Sequence, residues 1–192
     1  MAITSVLFSG VGGQGIILAS KVVGRCAFAA GCDVKESELH GMAQRGGSVI
    51  SHVRFGDVVH SPLIPQGQAD FYVALEELEG LRYLSFLKPG ALVVLNRKQI
   101  VPATVHPETN PYPDDVMAKL EAGGFQVVGI DAAEIARRVG NMKVENIILV
   151  GALSRFLGFP VETWETVIRE LVPEKFVALN LQAFHAGREA AG

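Results

Sequence analysis

The sequence predicts an α/β fold of three layers, α/β/α, built on a mostly parallel mixed sheet with a β-hairpin and a helical C-terminal tail. Three observations carry that prediction. Short β-branched apolar runs alternate with helical stretches, the pattern of a layered α/β domain. The first run, Ser5-Val6-Leu7-Phe8, passes through Ser9-Gly10-Val11-Gly12-Gly13-Gln14-Gly15 into Ile16-Ile17-Leu18-Ala19, giving strand, glycine loop and helix in succession. From Val144 onward the periodicity is helical. A chain of 192 residues has the size of one ordinary domain and can bury a substantial core. It reads as a single unit, 1–192, with no internal repeat or low-complexity tract.

The elements follow in order. Val6 to Ser9 is a strand and Gly13 to Ala30 a helix, which Gly31 ends. Cys32 to Ser37 reads as the second strand, and the loop Glu38 to Gly47 leads into Ser48 to Phe55. Gly56-Asp57 followed by Val58-Val59-His60-Ser61 predicts a hairpin, because β-branched runs flank a short Gly-Asp connection. Pro62 to Pro65 is an extended connector, since each proline biases its predecessor toward extended backbone. Asp70 to Leu75 is a buried strand, and Glu76-Glu77-Leu78-Glu79 opens a helix with acids where the dipole favours them. Lys88-Pro89-Gly90 turns into the strand Ala91 to Leu95, and Pro102 to Pro113 is irregular. Asp114 to Ala122 is a helix closed by Gly123-Gly124, then comes the strand Phe125 to Ile130. Asp131 is an N-cap for Ala132 to Val139. Three further helices cover Val144 to Phe156, Val161 to Leu171 and Lys175 to Glu189.

Composition narrows the function. Charged residues make up 19% of the chain and the net charge is −3, with charge below the usual share of about 25%. Without a basic run, nucleic acid and anionic membrane are excluded as main partners. Low charge, together with the apolar tail residues Phe176, Val177, Leu179, Leu181 and Phe184, suggests an association surface. Cys26 and Cys32 are too few for an iron–sulfur cluster and read as buried free thiols in a reducing cytoplasm. No basic leader precedes a long apolar run, and Ile147 to Leu153 is too short to span a bilayer.

Two loops are candidates for chemistry. Gly10-Val11-Gly12-Gly13-Gln14-Gly15 satisfies G-x-G-x-x-G at a strand–helix corner, where glycines admit close backbone approach and the helix start favours an anion. With Glu36 as a ribose-binding acid it fits a dinucleotide fold, which predicts NAD(P) or FAD. It fits equally a tight turn that only packs helix on strand. Gln14 adds an amide able to meet a ligand or a neighbouring subunit. The second loop, Glu38-Leu39-His40-Gly41-Met42-Ala43-Gln44-Arg45-Gly46-Gly47, offers an arginine fork for phosphate or carboxylate, or is an ordinary surface loop. Glu38 is placed to pair with Arg45. Glu76, Asn96 and Asp131 end strands at the sheet edge where ligands gather, and each also suits a cap or turn. His52 and His60 make a poor metal pair, Gly56-Asp57 lacks the rest of a thiamine diphosphate motif, and no activated nucleophile is present. No catalytic or metal-ligating residue is assigned.

The two glycine motifs together resemble the gamma subunits, or gamma domains, of the 2-oxoacid:ferredoxin oxidoreductases that act on pyruvate, ketoisovalerate or indolepyruvate. The likeness is greatest to the small subunits of indolepyruvate:ferredoxin oxidoreductases. It extends through Ser61-Pro62-Leu63-Ile64, Ala69-Asp70, Asn96, Asn146, Gly151-Ala152-Leu153 and the tail Lys175 to Gly187. The resemblance implies a multisubunit enzyme that decarboxylates a 2-oxoacid, reduces ferredoxin and releases an acyl-coenzyme A. It places thiamine diphosphate, magnesium and iron–sulfur clusters in partner subunits and makes this chain inactive alone. Gly10, Gly12, Gly13, Gln14, Gly15, His40, Arg45, Gly46 and Gly47 become candidate contacts for coenzyme A phosphates or for the subunit interface. A free-standing NAD(P)-binding oxidoreductase and a purely structural assembly subunit are the alternatives.

Overall fold

Hydrophobic alternation and helical periodicity settle into a single mixed sheet with unequal helical layers. The computed structural model describes residues 2–40, 47–102, 105–106 and 108–192. The strands are β1 (Thr4–Val11), β2 (Asp33–His40), β3 (Ser48–Gly56), β4 (Ala69–Ala74), β5 (Leu87–Asn96) and β6 (Gln126–Ile130). They lie side by side as β2-β3-β1-β4-β5-β6. The helices are α1 (Ile16–Ala29), α2 (Glu77–Arg82), α3 (Val116–Ala122), α4 (Ala132–Val139), α5 (Glu145–Leu153), α6 (Val161–Leu171) and α7 (Val177–Ala190).

Period-two alternation decides which face each strand residue joins. Val6, Phe8, Val73 and Val94 enter the larger core, packed with side chains of α1 and α4 to α7. Leu7, Tyr72, Val93 and Leu95 enter the smaller core, closed by Val116 and Leu120 of α3. Every residue of α5 is buried, which marks a helix enclosed on all sides. Its crossing with α7 is close: a Cβ added at Gly187 would lie 1.9 Å from the Ile148 carbonyl oxygen, and one at Gly151 would lie 2.1 Å from that of Phe184. Only glycine lets these backbones approach so far.

Pairing also collects the chain ends that matter. β1, β4, β5 and β6 run parallel, so Val11, Ala74, Asn96 and Ile130 end at one edge. β3 runs antiparallel to β1, with Ser48 opposite Val11, and β2 antiparallel to β3, with His40 opposite Val49. β2 therefore ends, and β3 begins, at that same edge.

Several expectations change. The hairpin is β2–β3, and no strand forms over Val58 to Ser61. There Asp33 accepts the Val59 N–H at 2.8 Å and the Arg54 guanidinium takes the Ser61 carbonyl at 2.9 Å, so this segment is tied to side chains instead of a ladder. β5 begins at Leu87 and carries Lys88-Pro89-Gly90 within it, at a register shift against β4; a bulge accommodates the proline that reads as a turn. Cys26 is buried as expected, but Cys32 is only half-buried. The tail is not a free apolar patch: Phe184 is fully buried, and Val177, Leu179 and Leu181 pack on the larger core, leaving Phe176 exposed. Among the described residues, no helix is long and apolar enough to cross a membrane.

Candidate functional site

The chain leaves β1 through α1 toward β2 and leaves β4 through α2 toward β5, on opposite sides of the sheet. Ligands of open α/β sheets settle at the carboxyl ends beside such a divergence. A cleft of about 390 Å³ lies there, walled by Gly13, Gly15, Asn96, Lys98, Lys143 and Glu145 among others.

The glycine loop is shaped by its neighbours. Val11 donates its N–H to Gln14 Oε1 at 2.7 Å, and Gln14 Nε2 donates to the Leu75 carbonyl at 2.8 Å. Both ends of the Gln14 amide are thus engaged within the chain, stitching the end of β1 to the end of β4. Gly10 makes room for this clasp, since a Cβ there would sit 2.7 Å from Gln14 Oε1. Gly15 precedes α1 in the left-handed region at φ 79°, and its carbonyl accepts from Asn146 Nδ2 at 3.0 Å. Gly13 also has positive φ, 103°, but an added Cβ would meet nothing within 4 Å. Its surface is open. Gly12 donates its N–H to the Gly47 carbonyl at 2.8 Å, which joins the first loop to the exit of the second. His40 ends β2, while Arg45 and Gly46 lie outside the described residues, as does any pairing of Arg45 with Glu38.

Behind the loop lies a network that ties strand-end residues to partners far along the chain. Asn96 is buried; its Nδ2 donates to the Leu75 carbonyl at 3.1 Å and to Glu145 Oε2 at 3.3 Å, and its Oδ1 accepts the Ala132 N–H. Lys98 Nζ donates to both Glu145 oxygens, at 2.8 and 2.9 Å. Where the chain leaves β4, the buried Glu76 carboxylate caps α2 at Glu79 N and accepts from Ile100 N and Tyr112 Oη. Desolvation, with Glu76 as the main charged neighbour, pushes the Tyr112 phenol up. Glu79 accepts from Ser48 Oγ and pairs with Arg82 at 3.0 Å, anchoring the first residue of β3. Asp131 caps α4 by accepting the Glu134 N–H at 2.9 Å. His52 is spent inside the fold, accepting the Ile64 N–H on Nδ1.

The dinucleotide alternative fails on register. Glu36 lies opposite Val53, which lies opposite Val6, five residues short of Val11. At about 3.3 Å per residue that is roughly 17 Å down the sheet, and β3 stands between β1 and β2. Glu36 instead lies over α1, where a Cβ on Gly24 would come within 1.6 Å of its carboxylate; burial, then Glu38, raises its pKa.

A family model described as pyruvate ferredoxin/flavodoxin oxidoreductase matches residues 5–190. The chain belongs to this family. The indolepyruvate oxidoreductase subunit IorB of Archaeoglobus fulgidus is 42% identical over 191 residues, covering 97% of this chain and 94% of that subunit. The 2-oxoglutarate synthase subunit KorC of Methanothermobacter thermautotrophicus is 32% identical over 184 residues, covering 94% and 91%. Among solved structures, the keto/oxoacid ferredoxin oxidoreductase gamma subunit of Geobacter sulfurreducens superposes with a TM-score of 0.75 at 29% identity, covering 98% of both chains. The same fold occupies 31% of the Magnetococcus marinus 2-oxoglutarate:ferredoxin oxidoreductase chain, with a TM-score of 0.77 at 22% identity. This chain is a small, gamma-type subunit of a 2-oxoacid:ferredoxin oxidoreductase.

Proposed function

We propose that the chain, folded over 1–192 as one gamma-type domain, serves an indolepyruvate-type complex and contributes coenzyme A phosphate contacts from the carboxyl edge of its sheet. The observation that carries the substrate is the gradient of identity: 42% to the Archaeoglobus indolepyruvate subunit, against 32% to KorC and 26% to the pyruvate synthase subunit PorC of Methanothermobacter thermautotrophicus. In such a complex a 2-oxoacid and coenzyme A give acyl-coenzyme A, carbon dioxide, a proton and two electrons for ferredoxin. Thiamine diphosphate with magnesium supplies the electron sink for decarboxylation, and iron–sulfur clusters carry the electrons, all in partner subunits. This chain acts in the cytoplasm, turns over nothing alone, and meets ferredoxin only through the complex.

The coenzyme A reading is supported by the geometry of the edge. The exposed face of Gly13 admits a ligand to the backbone, and the Gly12–Gly47 bond sets the second loop's exit beside it. Coenzyme A is bound in the Magnetococcus structure that shares the fold. Gly10, Gly15 and Gln14 hold the loop's shape, while Gly12, Gly13, His40, Arg45, Gly46 and Gly47 form the contact surface.

Co-expression with the thiamine-bearing large subunit and assay of viologen reduction with indolepyruvate, phenylpyruvate, pyruvate and 2-oxoglutarate tests the function. Activity confined to the assembled complex and greatest with aryl-2-oxoacids is expected. Turnover by the isolated chain, or preference for pyruvate or 2-oxoglutarate, would refute it.

A further inference from the structure

We propose that Lys98 is a ligand-contacting residue of the cleft, oriented by Glu145 and Asn96 to receive a phosphate group lying against Gly13. The proposal rests on the coenzyme A reading above and names the cation that reading lacks among the described residues.

Lys98 is fixed from three directions. Its N–H donates to the Asn96 carbonyl at 2.8 Å, its carbonyl accepts the Glu77 N–H at 2.9 Å, and its ammonium spans both Glu145 oxygens. A lysine side chain ordinarily surrenders rotamer entropy when it is immobilised; here the fold has already imposed that order. The ammonium is not sealed in, because the Lys98 side chain is 32% exposed whereas that of Glu145 is only 11% exposed. The recorded bonds occupy two of its three N–H donors.

Charge in the cleft favours an anion. Its charged lining residues are Lys98, Lys143 and Glu145. The Glu145 carboxylate is consumed by Lys98 and Asn96, so the lining sums to one net positive charge. Glu145 and its successor Asn146 share one purpose: Asn146 holds the Gly15 carbonyl on one wall, and Glu145 holds Lys98 on the other. The first turn of α5 sets the distance between backbone loop and cation. Lys98 is the contact residue, and Glu145 is its positioning residue.

The test uses the assembled complex, with coenzyme A varied at saturating 2-oxoacid. Lys98→Met strands a buried carboxylate, so it is paired with the charge-neutral double substitution Lys98→Met/Glu145→Gln. A charged hydrogen bond lost to the ligand raises the coenzyme A KM roughly ten- to a hundredfold. That rise is expected in both variants, with kcat and the 2-oxoacid KM unchanged and with Lys98→Arg close to the parent. An assembled double variant whose coenzyme A KM stays within about twofold of the parent overturns the proposal. Failure of the double variant to assemble overturns it too, because the pair is then a structural joint. Gly13→Val and Arg45→Ala in the same assay separate the two claims. If they raise the KM and the Lys98 variants do not, Lys98 alone is misassigned; if none raises it, the coenzyme A reading falls with it.

Discussion

Replacing Gln14 with leucine removes the clasp between β1 and β4 while keeping a side chain of similar reach. Two hydrogen bonds disappear, Val11 N–H to Gln14 Oε1 at 2.7 Å and Gln14 Nε2 to the Leu75 carbonyl at 2.8 Å. The losses are unequal. Leu75 keeps a second donor, Asn96 Nδ2 at 3.1 Å, whereas the part-buried Val11 N–H loses the acceptor recorded for it. A net hydrogen bond contributes about 1 kcal/mol and an orphaned buried donor costs about 1–3 kcal/mol, so Gln14→Leu should destabilise the chain by about 2 kcal/mol. Gln14→Glu keeps the acceptor for Val11 but turns a carboxylate oxygen toward the Leu75 carbonyl, and should cost a similar amount at neutral pH. Urea unfolding of the purified chain, followed by far-UV circular dichroism, measures both. A leucine variant within about 0.5 kcal/mol of the parent, the range of ordinary surface substitutions, would refute the clasp and return Gln14 to the role of a free ligand-binding amide.

The helix crossing gives a sharper contrast. Gly187→Ala should lower stability by about 1–3 kcal/mol or more, because the obstacle 1.9 Å away is the Ile148 backbone; Gly24→Ala should stay within about 1 kcal/mol of the parent, because its obstacle is the movable end of Glu36. Thermal unfolding of the two variants side by side checks this. Burial, then the Arg54 charge, depresses the His52 pKa below 6.5, so the unfolded chain takes up the proton first. The His52 contribution to stability is intact above about pH 6.5 and is lost as pH falls through the folded-state pKa; His52→Gln should flatten the slope of stability against pH over that window. Burial pushes the Cys26 thiol up to about 12, so a maleimide should label Cys32 before Cys26 in the folded chain and both after denaturation.

Much of the fold is legible wherever the signal is local. The ranges Ala132–Val139 and Val161–Leu171 emerge from periodicity as they stand in the structure, and Asp131 caps as its residue type demands. The order of strands is not local. Nothing between Asp33 and Gly56 announces that β3 inserts itself antiparallel between β1 and β2, and the Gly-Asp pair at 56–57 points instead to a hairpin on the wrong side. Proline and glycine at 89–90 conceal the first part of β5, because a bulge and a turn use the same residues. The glycine loop is visible from its spacing, but the residues that hold it are not. Lys98 and Glu145 stand 47 positions apart, Asn146 stands 131 from Gly15, and neither pair leaves a periodic trace. Gln14 shows the opposite case: its amide reads as available, and the fold has already taken both ends.

The central claim is that the carboxyl edge of this subunit touches coenzyme A. The most direct measurement is the coenzyme A KM of the assembled complex carrying Arg45→Ala, with assembly verified by size-exclusion chromatography in the same preparation. The account predicts a rise of roughly ten- to a hundredfold with the 2-oxoacid KM unchanged. An intact complex whose coenzyme A KM does not move would contradict it and leave both glycine loops as joints between subunits.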